Sequence, residues 1–427
     1  MIPGLRAALV DEADAVLIDE GVVPLIIARA RREDDMAGVY RQAAMIASRL
    51  DEGPDYSIDH LHRRSELKRR GLHRCEQMWD ELSEPVWKAR RRAEELVRQA
   101  LVARHCYLSG KHYQIVEGKV VIVDEYTGRF LADRSWEHGL HQAVEAKEGL
   151  DVTADRETLA RMSFQRFFRS YPFLCGMTGT AADATAEMEG VYSRPVTVIP
   201  TNRPVIRERW PMRVFTTTRA KWEAVADSIA ELHAQGRPVL AGTRSIAASE
   251  HLSRLLEARG LSHKVLNANF DKDEAELIAA AGHGGDPRNR ETRAAITVAT
   301  NMAGRGTDIK PDDLAKAAGG LHVILTEMHS ATRIDRQFIG RAGRQGDPGS
   351  AQLFVALEDE LVVQNAPRLA AALRSRALGA GTDEIRSTRA ARAVFKIAQR
   401  RAEHRARLSR AAVLRQDDWI EKYLPGT

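Results

Sequence analysis

The stretch LVDEADAVLIDE, residues 9–20, decides how the chain is read. Leu9 and Val10 belong to an apolar strand that delivers two adjacent acids, Asp11 and Glu12, to its carboxyl end, and Ala13 and Asp14 complete D-E-A-D. In nucleotide hydrolases, acids in this position hold Mg²⁺ and activate water. A strand of this kind ordinarily comes after a glycine-rich loop that cradles phosphate, yet only residues 1–8 precede it here. Short acidic runs at strand ends are common and usually just solvated. The weight therefore rests on the downstream motifs.

Three of these occur in order. The segment LCGMTGTA is an apolar strand running into the turn Thr178-Gly179-Thr180. VATNMAGRGTDI, residues 298–309, leaves a strand into a turn where Gly304 and Gly306 let backbone approach a ligand, and where Arg305 and Asp308 offer charge and an acceptor. RIDRQFIGRAGRQGDPG, residues 333–349, sets Gln337, Arg341 and Arg344 among Gly340, Gly343 and Gly346. Arginines three apart on a helix share a face, so both are expected to point at one phosphate. An arginine against a γ-phosphate in the transition state is worth about 10³ to 10⁵ in rate. The glycines argue against a plain surface helix, because each costs roughly 1 kcal/mol of helix stability. In this order the four motifs match the motor core of superfamily 2 helicase-like ATPases, in which two RecA-like lobes clamp ATP.

The rest of the chain suits that reading. A length of 427 residues suits two or three domains. Hydrophobic residues make up 44% and charged residues 29%, enough for sizeable cores. The net charge of +5 is a mild basic excess that suits an anionic lipid surface, nucleic acid or neither. Cys75, Cys106 and Cys175 are odd in number, far apart and without zinc spacing, so buried thiols in a reducing cytoplasm are expected. No apolar run reaches the roughly 18 residues needed to span a bilayer. Residues 1–4 show no basic and apolar signal-peptide pattern. From about Arg207, strands and helices alternate as in a parallel sheet covered on both faces. YQIVEGKVVIVDEYTG, from Tyr113, reads as a hairpin, 158–171 as a helix, and 367–424 as an Ala/Arg-rich helical tail broken at 379–381.

The segment VDEYTGRFLADRSWEHGLHQAVEAKEG, residues 123–149, has no place in an RNA helicase. It resembles the preprotein-binding domain of the SecA family, the motor ATPases of bacterial protein export. LIDEGVVPLIIA, GMTGTA, VIPTNRPVIR, ATNMAGRGTDI, GGLHVI, GRAGRQGDPGS, LEDEL and AQRRAEHRARLSR resemble that family's motifs as well. The resemblance implies an α/β architecture of two RecA-like P-loop NTPase lobes, the first incomplete, with an inserted α+β preprotein-binding domain and a C-terminal helical tail. Residues 1–28 and 151–206 would form part of the first lobe, 29–150 the inserted domain, 207–366 the second lobe, and 367–427 the start of the scaffold helix. It also implies ATP and Mg²⁺ as cofactors. Asp11 would organise Mg²⁺ through water and Glu12 would polarise the attacking water. Arg341 and Arg344 would be arginine fingers, with Gln345 and Asp347 completing their motif. Asp308, Gly306 and Arg305 would meet nucleotide from the second lobe. The expected partners are an unfolded preprotein, a SecYEG-type channel and an anionic membrane surface, with no specific nucleic acid. The expected location is the cytoplasmic face of the inner membrane. The hairpin at 113–125 would supply the strands connecting the inserted domain, and its edge could add a client as an extra strand.

The chain departs from the family pattern in three places. No G-x-x-x-x-G-K-[ST] occurs, so the phosphate site is expected upstream of Met1, and the chain by itself is expected to be nearly inactive as an ATPase. The family's two-helix finger and terminal zinc segment are not among these residues. Asn269 and Asp271 stand where the family tends to carry lysine and histidine. Two rival readings are a nucleic-acid helicase on the same core and a non-enzymatic polypeptide-binding module.

Overall fold

The computed structural model describes residues 4–22, 24–30, 36–123, 130–131, 134–137, 139–154, 156–266, 274–289, 293–300, 308–378, 383–385 and 389–423. They form two compact units. One takes the described residues up to Ile26 and from Ala160 onward, the other those from Ile27 to Leu159.

The larger unit is built on a parallel sheet. Across it run Lys264–Leu266, Ile296–Thr300, Val239–Thr243, Leu321–Leu325, Gly349–Ala356 and Arg213–Phe215, with Glu384–Ile385 antiparallel at the edge and Glu208–Arg209 also on Gly349–Ala356. Ile296–Thr300, Val239–Thr243 and Leu321–Leu325 are buried at every position. Strands covered on both faces read as continuous apolar runs, which is why ITVAT, VLAGT and LHVIL do not alternate. One face packs Trp222, Val225, Ile229, Leu252 and Leu256 from helices Thr218–Ala234 and Ile246–Ala258. The other packs Ile278, Ile309, Phe338 and Ala342. Helix Thr332–Ile339 sits very close to the central strand: a Cβ on Gly242 would lie 2.5 Å from the Phe338 ring.

Strand Ala7–Asp11 pairs in parallel with Phe173–Met177, with Asp11 opposite Met177. Their cluster of Val10, Ala13, Leu17, Ile18, Leu174, Met188 and Tyr192 is small. Leu9 and Phe173 remain exposed at 67% and 73%. A strand that ends in catalytic acids at the carboxyl edge of a parallel sheet ordinarily has strand neighbours on both sides. Among the described residues Ala7–Asp11 has one. Helix Arg389–Tyr423 closes the unit, burying Ala391, Phe395 and Ala398 against Val214, Val355 and Val362.

The smaller unit packs helices Met36–Ser48, Arg69–Trp79, Arg90–Cys106 and Leu140–Lys147 around Trp79, Trp87, Leu96 and Tyr113. It also carries the antiparallel pair Tyr56–Asp59 and Arg64–Leu67. The expected hairpin forms, Tyr113–Val116 against Lys119–Val123, with Phe130–Leu131 added to it. Its two-residue turn has φ +50° at Glu117 and +74° at Gly118, the sign pattern of the type I′ turn that matches strand twist.

Three sequence expectations are corrected. The hairpin lies inside the smaller unit. The strands that carry the chain out of the larger unit and back are Pro24–Ala30 and Arg156–Ser163, which pair with each other. The expected helix at 158–171 is therefore a strand up to Ser163. Only Phe164–Arg169 is helical, started by the Ser163 hydroxyl accepting from the Arg166 N–H. Cys75 and Cys106 are buried as expected, and burial pushes the Cys75 thiol up to about 12. Cys175 is exposed, because the strand carrying it buries Leu174 alone.

Candidate functional site

At Asp11 the parallel strand ends and the chain reverses into a wide helical turn over Ala15–Asp19. The reversal puts Glu12 at φ +49°, a left-handed conformation that costs a non-glycine residue roughly 1–2 kcal/mol. The turn is held by the Ala15 and Val16 N–H groups donating to the Glu12 carbonyl, and by the Glu12 N–H donating to Asp11 Oδ1 at 2.8 Å. Asp11 is exposed and Glu12 half-buried.

Asp14, the last letter of the motif, is fully buried. Its Oδ1 accepts from the Thr178 hydroxyl at 2.6 Å, and its Oδ2 from the Thr180 hydroxyl at 2.8 Å and from Gln337 Nε2 at 2.8 Å. Gln337 also donates to Thr180 Oγ1 at 3.1 Å. One carboxylate thus joins the acidic turn, the Thr-Gly-Thr turn and helix Thr332–Ile339. Beside it Arg333, 3% exposed, makes a two-pronged ion pair with Asp19 and lies 3.7 Å from Asp14. Burial raises the Asp19 carboxyl above its ordinary range against the pull of Arg333. Arg336 pairs with Asp183 at 2.8 Å, and Arg410 of the tail helix makes a buried two-pronged pair with Glu187.

Helix Thr332–Ile339 is itself held from behind. Asp335 accepts from His329 Nδ1 at 2.6 Å and from Gln399 Nε2 at 2.7 Å, with Gln399 on the tail helix. Phe338 fills the space above Gly242. The helix that must present Gln337 is therefore fixed by a core aromatic on one side and a buried carboxylate on another.

Arg341 and Arg344 do not share a helix face as expected. The helix stops at Ile339, and residues 340–348 form a loop with φ +60° at Gly343, +54° at Gln345 and +80° at Gly346. Left-handed residues cannot continue a right-handed helix, so three of them convert the expected face into a coil. Arg341 is buried with its guanidinium 5.0 Å from the Phe338 ring centre. Arg344 donates to the Gly340 carbonyl at 3.1 Å and pairs with Asp308 at 3.1 Å. Asp347 pairs with Lys316 at 3.1 Å. Arg305 and Gly306 lie outside the described residues.

Of the residues singled out from sequence, Arg344 and Asp308 are in contact, and Asp11 and Glu12 share one turn. Sequence reasoning missed the most connected residue, Asp14, together with Arg333 and Asp19. The available signal was the threonine of T-G-T, a short hydroxyl donor that a buried acid needs. The donor set suits Mg²⁺, which takes one or two carboxylates and otherwise water and phosphate oxygens. Guanidinium groups suit phosphate. Within residues 1–427 the pattern G-x-x-x-x-G-K-[ST] does not occur. Among the described residues no cluster of three or more His, Cys, Asp or Glu could hold a metal by itself, and no helix is long and apolar enough to cross a membrane.

Comparison with known proteins gives matches along most of the chain. Residues 1–189 match the SecA DEAD-like domain, and residues 204–316 and 310–377 match the SecA P-loop domain. The chain is 42% identical over 426 residues to protein translocase subunit SecA 2 of Magnetococcus marinus, covering 99% of this chain and 63% of that one. It is 47% identical over 360 residues to protein translocase subunit SecA 2 of Nitrosospira multiformis, covering 84% and 53%. It is 43% identical over 358 residues to protein translocase subunit SecA of Nitratidesulfovibrio vulgaris, covering 83% and 41%. The chain thus spans between about two-fifths and just under two-thirds of the length of these relatives.

Proposed function

The chain belongs to the SecA family, and on that premise we propose that it forms the catalytic-acid and arginine sides of an ATP-driven protein translocase. The observation that carries the proposal is the buried Asp14 carboxylate, which ties the turn bearing Asp11 and Glu12 to the helix leading into Arg341 and Arg344. A change in occupancy at one element would reach the other directly through the Gln337–Asp14 bond, and through Thr180, which bonds both Asp14 and Gln337.

In this reading ATP supplies the driving free energy, and Mg²⁺, when bound, would neutralise charge on its phosphates. Asp11 would hold bound Mg²⁺ through water, and Glu12 would polarise the attacking water. Arg341 and Arg344 stabilise charge on the γ-phosphate, and Asp308, Arg305, Gly306 and Gln345 contact nucleotide from the second lobe. To meet phosphate, Arg344 would first have to release Asp308, which it pairs with at 3.1 Å. The region 29–150 holds an unfolded preprotein, and the assembly works with a SecYEG-type channel on the anionic cytoplasmic face of the inner membrane. The relatives' name, protein translocase subunit, supports a polypeptide as cargo.

The test compares residues 1–427 alone with a chimera that adds the parts of the Magnetococcus relative outside the match. The chain alone should hydrolyse Mg·ATP at background rate, and the chimera should be stimulated by unfolded preprotein. Stimulation by RNA instead would favour a helicase. Tight polypeptide binding indifferent to nucleotide would favour a non-enzymatic module.

A further inference from the structure

Between helix Thr185–Tyr192 and strand Glu208–Arg209 the chain has no regular structure, and residues 197–206 are exposed throughout. Arg207 is the first residue of this linker after that run to turn inward. Its Nη1 donates to the Ala342 carbonyl at 2.8 Å. Its own Cβ lies where a side chain on Gly343 would have to go, 2.7 Å from a Cβ built there. Four residues earlier, Arg203 Nη1 reaches the Gln345 carbonyl at 3.4 Å, and a Cβ on Gly346 would stand 3.2 Å from the Arg203 stem. The linker thus lies along the left-handed loop, touching it at each of its two left-handed glycines.

From this contact we infer that Arg207 is a positioning residue, through which the linker sets where the loop presents Arg344. The inference rests on the nucleotide reading of that loop. Three features favour positioning over simple packing. The bond falls on the backbone between Arg341 and Arg344, so it acts on both. Gly343 has no side chain because the linker occupies its place, so linker and loop cannot slide independently. And burial, then the nearby charges of Arg209 and Arg344, hold Arg207 below its ordinary value. A cation kept among cations is spent on a backbone carbonyl when a carboxylate partner would be far cheaper to keep ionised. Displacement of the linker would then move Arg344 toward or away from Asp308 without any contact to ligand.

The test uses the whole chain as wild type, Arg207→Ala and Arg207→Lys, the lysine variant guarding against a folding defect in the alanine one. Amide hydrogen exchange over residues 341–347 should accelerate about tenfold or more in Arg207→Ala, with Leu321–Leu325 unchanged, and lysine should restore part of the protection. Unchanged exchange overturns the clamp. Binding of Mg·ADP, measured on the same three variants in the chimera with the Magnetococcus relative, should weaken about tenfold in Arg207→Ala and recover partly in Arg207→Lys. A loosened loop with unchanged nucleotide affinity overturns the positioning role. If the chimera with Arg207 intact binds no Mg·ADP, the nucleotide reading fails and the role falls with it, while exchange still decides whether the linker clamps the loop.

Discussion

Replacing Asp14 with alanine removes a carboxylate that accepts from three buried or half-buried donors, the hydroxyls of Thr178 and Thr180 and the Gln337 amide, and leaves the amide only its bond to Thr180. Hydrogen bonds to a charged group contribute about 1.5–3 kcal/mol each, and orphaned donors cost about 1–3 kcal/mol, but members of one network do not add. Removing one partner of a buried charged cluster costs about 3–5 kcal/mol in total, the figure we expect for Asp14→Ala. Asp14→Asn keeps the shape and one acceptor while presenting an amide to donors, so about 1–3 kcal/mol is expected. Denaturant unfolding followed by tryptophan fluorescence suits the assay. Trp210, Trp222 and Trp419 report on the larger unit and Trp79, Trp87 and Trp136 on the smaller, so the loss should appear only in the transition of the larger unit. In a double-mutant cycle with Gln337→Ala, the Asp14–Gln337 pair should couple by about 1–2 kcal/mol. A variant within about 1 kcal/mol of wild type, or a coupling near zero, would refute the claim that this carboxylate joins the two elements.

Three other outcomes rest on particular contacts. Gly242→Ala should destabilise the larger unit by about 1–3 kcal/mol, because the added methyl meets the Phe338 ring, and Phe338→Leu in the same chain should recover part of that loss. Arg333→Ala should cost about 3–5 kcal/mol by stranding Asp19, while Arg333→Met with Asp19→Leu should cost far less, as denaturation midpoints would show. Burial and then the nearby Arg237 charge hold His322 at about 3, so between its unfolded value near 6.5 and that figure only the unfolded state takes up the proton. Stability should therefore fall with decreasing pH through this window. The gap between wild type and His322→Gln should shift by about 2 kcal/mol between pH 7 and pH 5, and a pH-independent gap would show that the imidazole is not neutral in the fold.

By itself the sequence determined the family, the α/β class of the larger unit and the places where chemistry could sit. Those readings rest on local information. Apolar runs such as VLAGT and LHVIL announce strands buried on both faces, glycine at defined spacing announces turns, and D-E-A-D at a strand end announces acids at a carboxyl edge. Tertiary structure alone decided which of those residues meet. Asp14 was the one acid of the motif given no role from sequence, and it became the hub because Thr180 and Gln337 arrive from 166 and 323 positions away. The arginines looked like one helical face, and became a loop because Gly343 and Gly346 stand against Arg207 and Arg203 of a linker about 140 residues earlier. Strand Arg156–Ser163 looked helical until its partner at Pro24–Ala30 was in place. In each case the deciding contact joins segments far apart in the chain, and no local propensity or spacing encodes which distant backbone will lie alongside.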